Sequence, residues 1–165
     1  MKISLIGLAE GVHRLHFEEQ PASCGITDHP NLLNPVHIEV DLERRAASLF
    51  LRNRIETVGR FHCDRCLKEV EVTITDSGRV VFSNDEELLA LTEDEVHPLE
   101  RDAREVDITE DLRDMLLLAI PSKILCAETC KGLCPHCGVD LNTETCLCGV
   151  RPIDPRWQVL QKLIN

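Results

Sequence analysis

Residues 36–42 read VHIEVDL, and their apolar and polar side chains alternate strictly. A period of two is typical of a β-strand that buries one face. The same alternation on the C-terminal side predicts four more strands, at residues 46–51, 54–61, 68–75 and 79–82. Short links join these runs, including an Asp-Ser-Gly turn at residues 76–78, and short links favour an antiparallel β meander over a parallel sheet.

The segments that flank the meander predict a hairpin and two helices. Residues 3–8 and 12–17 have the pattern of two strands joined by a tight turn. Asp107 is a candidate helix cap, and the apolar residues that follow it on nearly every side predict a buried helix that ends at Pro121. A short C-terminal helix is predicted to begin at Asp154.

Composition and charge restrict the possible partners. The chain is 43% hydrophobic and 28% charged, which is ordinary for a globular protein, and its formal net charge of -11 argues against a globally basic nucleic-acid-binding protein. Residues 44–68 nevertheless hold seven basic and two acidic side chains, whereas residues 85–114 hold thirteen acidic and three basic ones. Any contact with RNA must therefore be local.

The sequence predicts a cytoplasmic protein without a membrane partner. The first residues have no signal-peptide cleavage site, and no window approaches 18 uncharged apolar residues. In a reducing compartment, nine cysteines are expected to be metal ligands or redox groups before they are disulfides.

Eight of the nine cysteines fall in four close pairs, which suits two tetrahedral zinc sites of four thiolates each. Four pairs can be grouped in three ways, and the spacing does not decide among them. The most local grouping costs least loop entropy and is our prediction. One site then consists of Cys134, Cys137, Cys146 and Cys148, and the other of Cys63, Cys66, Cys126 and Cys130. The ninth cysteine, Cys24, is expected to be a small buried hydrophobe.

These elements together predict an α+β fold: an antiparallel β meander with one buried helix, a Cys-rich zinc-knuckle tail and a short C-terminal helix. At 165 residues the chain has the size of one domain. Residues 1–121 would form a mainly antiparallel β domain ending in the buried helix. Residues 122–165 would form the metal-binding tail and its helix, packed on that domain as one compact unit.

The sequence predicts no enzyme and no small-molecule substrate, because it contains no P-loop, HExxH, GxSxG or dinucleotide-binding motif. A zinc ion held by four thiolates has no open position for water, so such sites are architectural. Two alternatives stay open. Cys134 and Cys137 have the spacing of a thiol-disulfide oxidoreductase, and iron could replace zinc.

Several motifs together resemble the YceD family, the large ribosomal RNA subunit accumulation proteins. They are GLAEGVHRLHFEE at residues 7–19, CDRCL at 63–67, ILCAETCKGLCPHCGVDLNTETCLC at 124–148 and IDPRWQVLQKL at 153–163. The resemblance implies a role in accumulation or processing of 23S ribosomal RNA, and hence in assembly of the large subunit. It brings no catalytic residues with it.

The basic segment is the candidate for direct contact with RNA, through phosphate rather than base stacking, because aromatic residues are only 3% of the chain. The candidate residues are Arg52, Arg54, Arg60, Arg65 and Lys68, with Arg151 and Arg156 as additions. The rival hypothesis is a zinc-stapled adaptor that reaches 23S rRNA or its precursor only through a ribosomal protein or assembly factor, bound by the acidic segment.

Overall fold

A computed structural model describes residues 1–46, 48–85, 89 and 96–148 of the chain. A five-stranded sheet, with strand order β2-β3-β4-β5-β6, dominates these residues, and β1 and β7 form a separate two-stranded pair. The strands are β1 (Lys2–Ser4), β2 (Gly11–Glu19), β3 (Val36–Arg45), β4 (Ser48–His62), β5 (Glu69–Ser83), β6 (Val96–Pro98) and β7 (Glu105–Asp107). One α-helix, α1 (Thr109–Leu118), follows β7.

Strands β2 to β5 form the predicted antiparallel meander, and the α+β class is confirmed. Strand β6 adds to β5 in the parallel direction. Strands β4 and β5 are each continuous over 15 residues, so the predicted breaks within them are wrong. The Asp-Ser-Gly sequence lies inside β5, where α1 packs on it: a Cβ at Gly78 would lie 2.9 Å from Met115 Sδ. This glycine provides space for the helix.

The predicted N-terminal hairpin is also wrong. Strand β1 pairs antiparallel with β7, with Ile3 opposite Val106, while β2 pairs with β3. The chain turns at Gly7, whose φ of 77° lies in the left-handed region that favours glycine. This turn lets Ile3 and Leu5 enter the main core, where both are buried. Pairing across about a hundred residues leaves no local signal in the sequence.

The inner face of the sheet carries the core. The inward side chains of β3 and β4, among them Val40, Leu42 and Ile55, are essentially inaccessible. Helix α1 packs on β5 and β4 and adds Leu112 and Leu116, both fully buried, to the same core. Cys24 is fully buried as predicted, and burial raises the pKa of its thiol.

Helix α1 is amphipathic rather than buried on every side. Leu118 is 82% exposed, so the expectation of burial all round is wrong. The N-cap is Ile108 rather than the predicted Asp107, although Asp107 Oδ1 accepts the backbone N–H of Thr109 at 2.9 Å. The helix ends at Leu118, three residues before Pro121.

Two buried polar side chains of β4 differ in their partners. Thr57 donates its hydroxyl to the carbonyl of Pro35 at 3.0 Å. Asn53 is fully buried, yet neither its side-chain oxygen nor its nitrogen has a hydrogen-bond partner in the part of the chain that the structure describes. Asn53 therefore carries an uncompensated cost of desolvation.

The outer face of β2 to β5 consists of mostly polar, exposed side chains that alternate with the buried ones. The predicted C-terminal helix at residue 154 lies outside the described residues, and the domain boundary after residue 121 stays a prediction. Within the described ranges, no helix has the length and apolar character needed to cross a bilayer.

Candidate metal centres

The turn between β4 and β5 forms a knuckle around Cys63 and Cys66. The N–H of Leu67 donates to the carbonyl of Cys63 at 2.9 Å, and the N–H of Cys63 donates to the carbonyl of Lys68 at 2.8 Å. Leu67 has a φ of 60°, in the left-handed region that is unfavourable for a residue with a Cβ. The tight reversal directs both sulfurs to the same side.

A second knuckle around Cys134 and Cys137 repeats this geometry. The N–H of Gly138 donates to the carbonyl of Cys134 at 2.9 Å, and the N–H of Cys134 donates to the carbonyl of Val139 at 2.8 Å. Gly138 has a φ of 76° and is the counterpart of Leu67. Each knuckle connects two residues that pair in antiparallel fashion: His62 and Glu69 in the first knuckle, and Leu133 and Asp140 in the second.

Each knuckle meets a second pair of cysteines, so that four sulfurs lie within 4.8 Å of one another. The two groups are Cys63, Cys66, Cys126 and Cys130 (the first centre), and Cys134, Cys137, Cys146 and Cys148 (the second centre). This is the grouping that the sequence predicted. Neither group includes His62 or His136, which flank ligand cysteines.

The sulfur spacing fits a tetrahedral ion. Four thiolates about 2.3 Å from zinc lie about 3.8 Å apart. In the first centre, the Sγ atoms of Cys63 and Cys130 are 3.8 Å apart, and those of Cys66 and Cys126 are 3.6 Å apart. In the second centre, Cys146 Sγ lies 3.7 Å from Cys137 Sγ and 3.2 Å from Cys134 Sγ. Both groups can therefore hold a metal ion.

Backbone hydrogen bonds fasten the tail to the first knuckle. The N–H of Asp64 donates to the carbonyl of Ile124 at 2.8 Å, and its carboxylate accepts the N–H of Ile124 at 2.7 Å. The N–H of Leu133 donates to the carbonyl of Arg65 at 3.0 Å. The first centre thus joins the end of the sheet to residues 124–133.

Backbone N–H groups stabilise one thiolate in each centre. Burial alone raises the pKa of Cys63, but backbone N–H groups, led by that of Cys126, outweigh burial and lower the pKa to about 6. The N–H groups of Cys137 and His136 likewise lower the pKa of Cys134 to about 6. Such N–H···S contacts are the outer-shell support that zinc thiolates require.

Crowding of sulfurs acts in the opposite direction. Hydrogen bonds to neighbouring thiols, first to Cys130, raise the pKa of Cys126 to about 12, and those to Cys137 and Cys146 do the same for Cys148. Four negative sulfurs can share such a small volume only around a cation. The donor set therefore fits a divalent ion that prefers sulfur.

The two centres differ in burial. Cys63, Cys66 and Cys130 are at most 8% exposed and pack with Leu125 and Leu133 in a small apolar cluster. In the second centre only Cys134 is buried, and Cys137 and Cys148 are exposed. Cys126 is the one exposed ligand of the first centre, whereas the second has two, so the second centre is the more accessible to solvent.

A dithiol oxidoreductase activates its first thiol at the start of a helix. No helix follows Cys137 in residues 138–148, because Gly138 turns the chain back. Both sulfurs instead face Cys146 and Cys148. This geometry is typical of a metal ligand set, and the lowered pKa of Cys134 comes from the N–H groups of the turn rather than from a helix.

The structure separates the predicted RNA-binding residues. Arg52 and Arg54 lie together on the outer face of β4, while Arg60 on the same face is paired with Glu71 at 3.3 Å. Arg65 donates to the carbonyl of Cys130 at 2.6 Å, which supports the first centre. Lys68 is exposed beside that knuckle, and Arg151 and Arg156 lie outside the described residues.

Three further arginines on the outer face were missing from the predicted set: Arg14, Arg45 and Arg79. Arg79 lies directly opposite Arg52 in the β4–β5 register. The alternation of β5 could have placed Arg79 on this face, but the expected turn at residues 76–78 concealed the register. Arg14 comes close only through pairing of β2 with β3.

A family model described as "Large ribosomal RNA subunit accumulation protein YceD" matches residues 51–164, which include both metal centres. The chain belongs to the YceD family. The two knuckles are part of the matched region.

Curated relatives of this YceD family member come from plants and mycobacteria. YCED homolog 1, chloroplastic, of Arabidopsis thaliana is 28% identical over 84% of this chain and 51% of its own length, and the Zea mays homolog is 31% identical over 72% and 50%. An uncharacterized protein of Mycobacterium tuberculosis is 34% identical over 66% and 51%. The chain thus spans about half the length of these relatives. The comparison with solved structures finds no match.

The paired knuckles of this YceD family member give a testable prediction. Leu67→Gly is expected to stabilise the metal-loaded protein by about 0.5–1 kcal/mol, because relief of a left-handed residue, roughly 1–2 kcal/mol, exceeds the added chain entropy. Gly138→Leu is expected to destabilise it by a similar amount, although a Cβ at Gly138 meets no atom within 4 Å. Urea denaturation with an unchanged m-value measures both. A loss of stability in Leu67→Gly would contradict the assigned strain.

Proposed function

We propose that this YceD family member is a non-enzymatic ribosome-biogenesis factor that promotes accumulation or processing of 23S rRNA and assembly of the large subunit. The observation that carries the proposal is the family match over residues 51–164, which contains both four-cysteine centres. The named function of the family provides the biological role. The centres provide the architecture through which the chain performs it.

Zinc is the ion that we assign to both centres. The ligands are all cysteine, the sulfur spacings are close to those of a tetrahedron, and Zn²⁺ has no redox chemistry of its own. A filled site with four thiolates cannot activate water, so the centres support folding rather than catalysis. Elemental analysis is expected to find close to two zinc ions per chain. Visible absorbance with bound iron would contradict the assignment.

The experiment that tests the role is depletion of the protein in cells, followed by measurement of 23S relative to 16S rRNA. We expect the ratio to fall, and expression of the intact chain to restore it. An unchanged ratio after complete depletion would overturn the proposed function. Because the relatives are about twice as long, rescue by this chain also tests whether residues 1–165 are sufficient.

A protein adaptor is the competing mechanism, in which the acidic residues 85–114 bind a basic ribosomal protein or assembly factor. Recovery of the tagged protein with and without RNase distinguishes the two. Direct contact with RNA predicts that ribosomal partners are lost after RNase treatment. Partners that persist favour the adaptor. We expect the protein to meet its RNA or protein partner in the cytoplasm, whereas the plant homologues are named chloroplastic.

A further inference from the structure

A row of charged side chains crosses the outer face of the sheet, one from each of four neighbouring strands. The strand register places Arg14 opposite Asp41, Asp41 opposite Arg52, and Arg52 opposite Arg79. Adjacent strands lie about 4.8 Å apart, so the row is about 14 Å long. Arg54 belongs to the next row, where it lies between Glu39 on β3 and Ser77 on β5.

The arginines of this row are not balanced by carboxylates. Arg14 uses Asp41, with 2.7 Å between Nε and Oδ1, and the hydrogen bond from Arg14, aided by the charge of Arg52, holds the pKa of Asp41 below its usual range. Arg52, Arg54 and Arg79 form no ion pair within the described part of the chain.

Arg52 and Arg79 also form a like-charge pair directly across the β4–β5 ladder. Side chains at such positions have Cβ atoms about 4.5–5.5 Å apart, and like charges there destabilise a sheet. Both side chains are exposed; Asp41 lies on the other side of Arg52, but the outer-face neighbours of Arg79 on β5, Ser77 and Val81, carry no charge. An anion between the two guanidinium groups would relieve it.

The surroundings favour a phosphate chain over a small anion. The row borders a shallow groove of about 400 Å³ whose sides include the apolar Val12, Phe50 and Val81. Arg45 stacks 5.4 Å from the centre of the Phe50 ring at that end, where its Nε is paired with Glu43 Oε1 at 2.7 Å. Five arginines face three carboxylates, Glu39, Asp41 and Glu43, so this patch is net positive on a chain of net charge -11.

We propose that Arg52, Arg54 and Arg79, with Arg14 and Arg45 at the margins, bind the phosphodiester backbone of ribosomal RNA on the outer face of the sheet. This inference rests on the proposed function and gives it a contact surface. Guanidinium groups match the geometry of phosphate. Because one half-buried phenylalanine is the aromatic group that lines the groove, the surface recognises the backbone and shape of the RNA rather than its base sequence.

The test measures binding of the intact chain to a labelled hairpin RNA taken from large-subunit rRNA. Three arginine–phosphate contacts predict that log affinity falls with log salt concentration with a slope of about -2 to -3. Arg52→Glu with Arg79→Glu is expected to weaken binding at least about tenfold and to reduce the slope by about two. Arg52→Gln with Arg79→Gln should weaken binding less and leave thermal stability unchanged or higher, because it removes the like-charge pair.

Arg60→Glu is the matched control. Arg60 lies on the same strand and face, eight residues or about 26 Å from Arg52, and already pairs with Glu71. We expect its affinity for the hairpin to match that of the wild type. An equal loss of RNA affinity in Arg60→Glu and in the Arg52→Glu, Arg79→Glu variant would overturn the site. Undiminished RNA binding by that double variant, or binding of the chain only to acidic proteins and not to RNA, would overturn it as well.

This test can fail independently of the proposed function. If depletion lowers the 23S to 16S ratio and the Arg52→Glu, Arg79→Glu chain restores it fully, the family role stands and the contact surface is wrong. If depletion leaves the ratio unchanged, the proposed function fails whatever the arginines bind in solution.

Discussion

Cys63→Ser is expected to lower the free energy of unfolding by about 3–5 kcal/mol, the scale of losing a native cross-link. Cys63 is fully buried, and its sulfur lies 3.8 Å from that of Cys130, where the sheet meets the tail. Metal binding and folding are one equilibrium in such sites, because the unfolded chain has no preformed ligand set. Loss of one ligand therefore weakens both the binding of the ion and the docking of residues 124–133 on the sheet.

Cys148→Ser is the matched variant, and we expect it to cost about 1 kcal/mol, because Cys148 is exposed and its centre is local in sequence. Addition of a chelator should accordingly remove one zinc ion before the sheet unfolds and the second only with unfolding. Elemental analysis and circular dichroism along the titration separate the two steps. Simultaneous loss of both ions and of the sheet signal would contradict this difference between the centres.

Asn53→Leu is expected to stabilise the protein by about 1–3 kcal/mol. The asparagine side chain is fully buried without a hydrogen-bond partner among the described residues, and leucine has the same number of side-chain heavy atoms without a polar group to desolvate. For a chain of this size, each kcal/mol corresponds to about 2–4 °C in Tm. Calorimetry of the metal-loaded protein measures the change.

Thr57→Val is the control for this prediction, since Thr57 lies on the same strand and face and is also buried. Its hydroxyl does have a partner, the carbonyl of Pro35, so we expect a loss of about 1 kcal/mol. Stability changes of opposite sign for the two substitutions would separate the cost of an unpaired polar group from a general preference of this face for apolar side chains. A destabilised Asn53→Leu protein would show that the amide performs a role that its contacts do not reveal.

Local patterns predicted the meander and favoured the cysteine grouping that the structure shows. Alternation along residues 36–42 reports directly which face is buried, and a short segment limits how far Cys134 can lie from Cys146. The grouping of Cys63 with Cys126 then followed because only two pairs were left. These inferences needed no knowledge of distant contacts.

Features that depend on distant contacts could not be predicted. The pairing of β1 with β7 joins the two ends of the β domain, and the path of β5 through Gly78 depends on Met115 in a helix more than thirty residues later. The same holds for the arginine row on the outer face. The registers of three strand pairs must be known before Arg14 and Arg79 can be placed beside Arg52.

Strand β4 divides its positions between two purposes. Residues such as Leu51, Ile55 and Phe61 face the core, and Arg52, Arg54 and Arg60 between them face solvent. Exchanging the second group leaves the interior packing untouched. Substitution of the alternate, solvent-facing residues of this one strand could therefore give the scaffold a new ligand without redesign of its core.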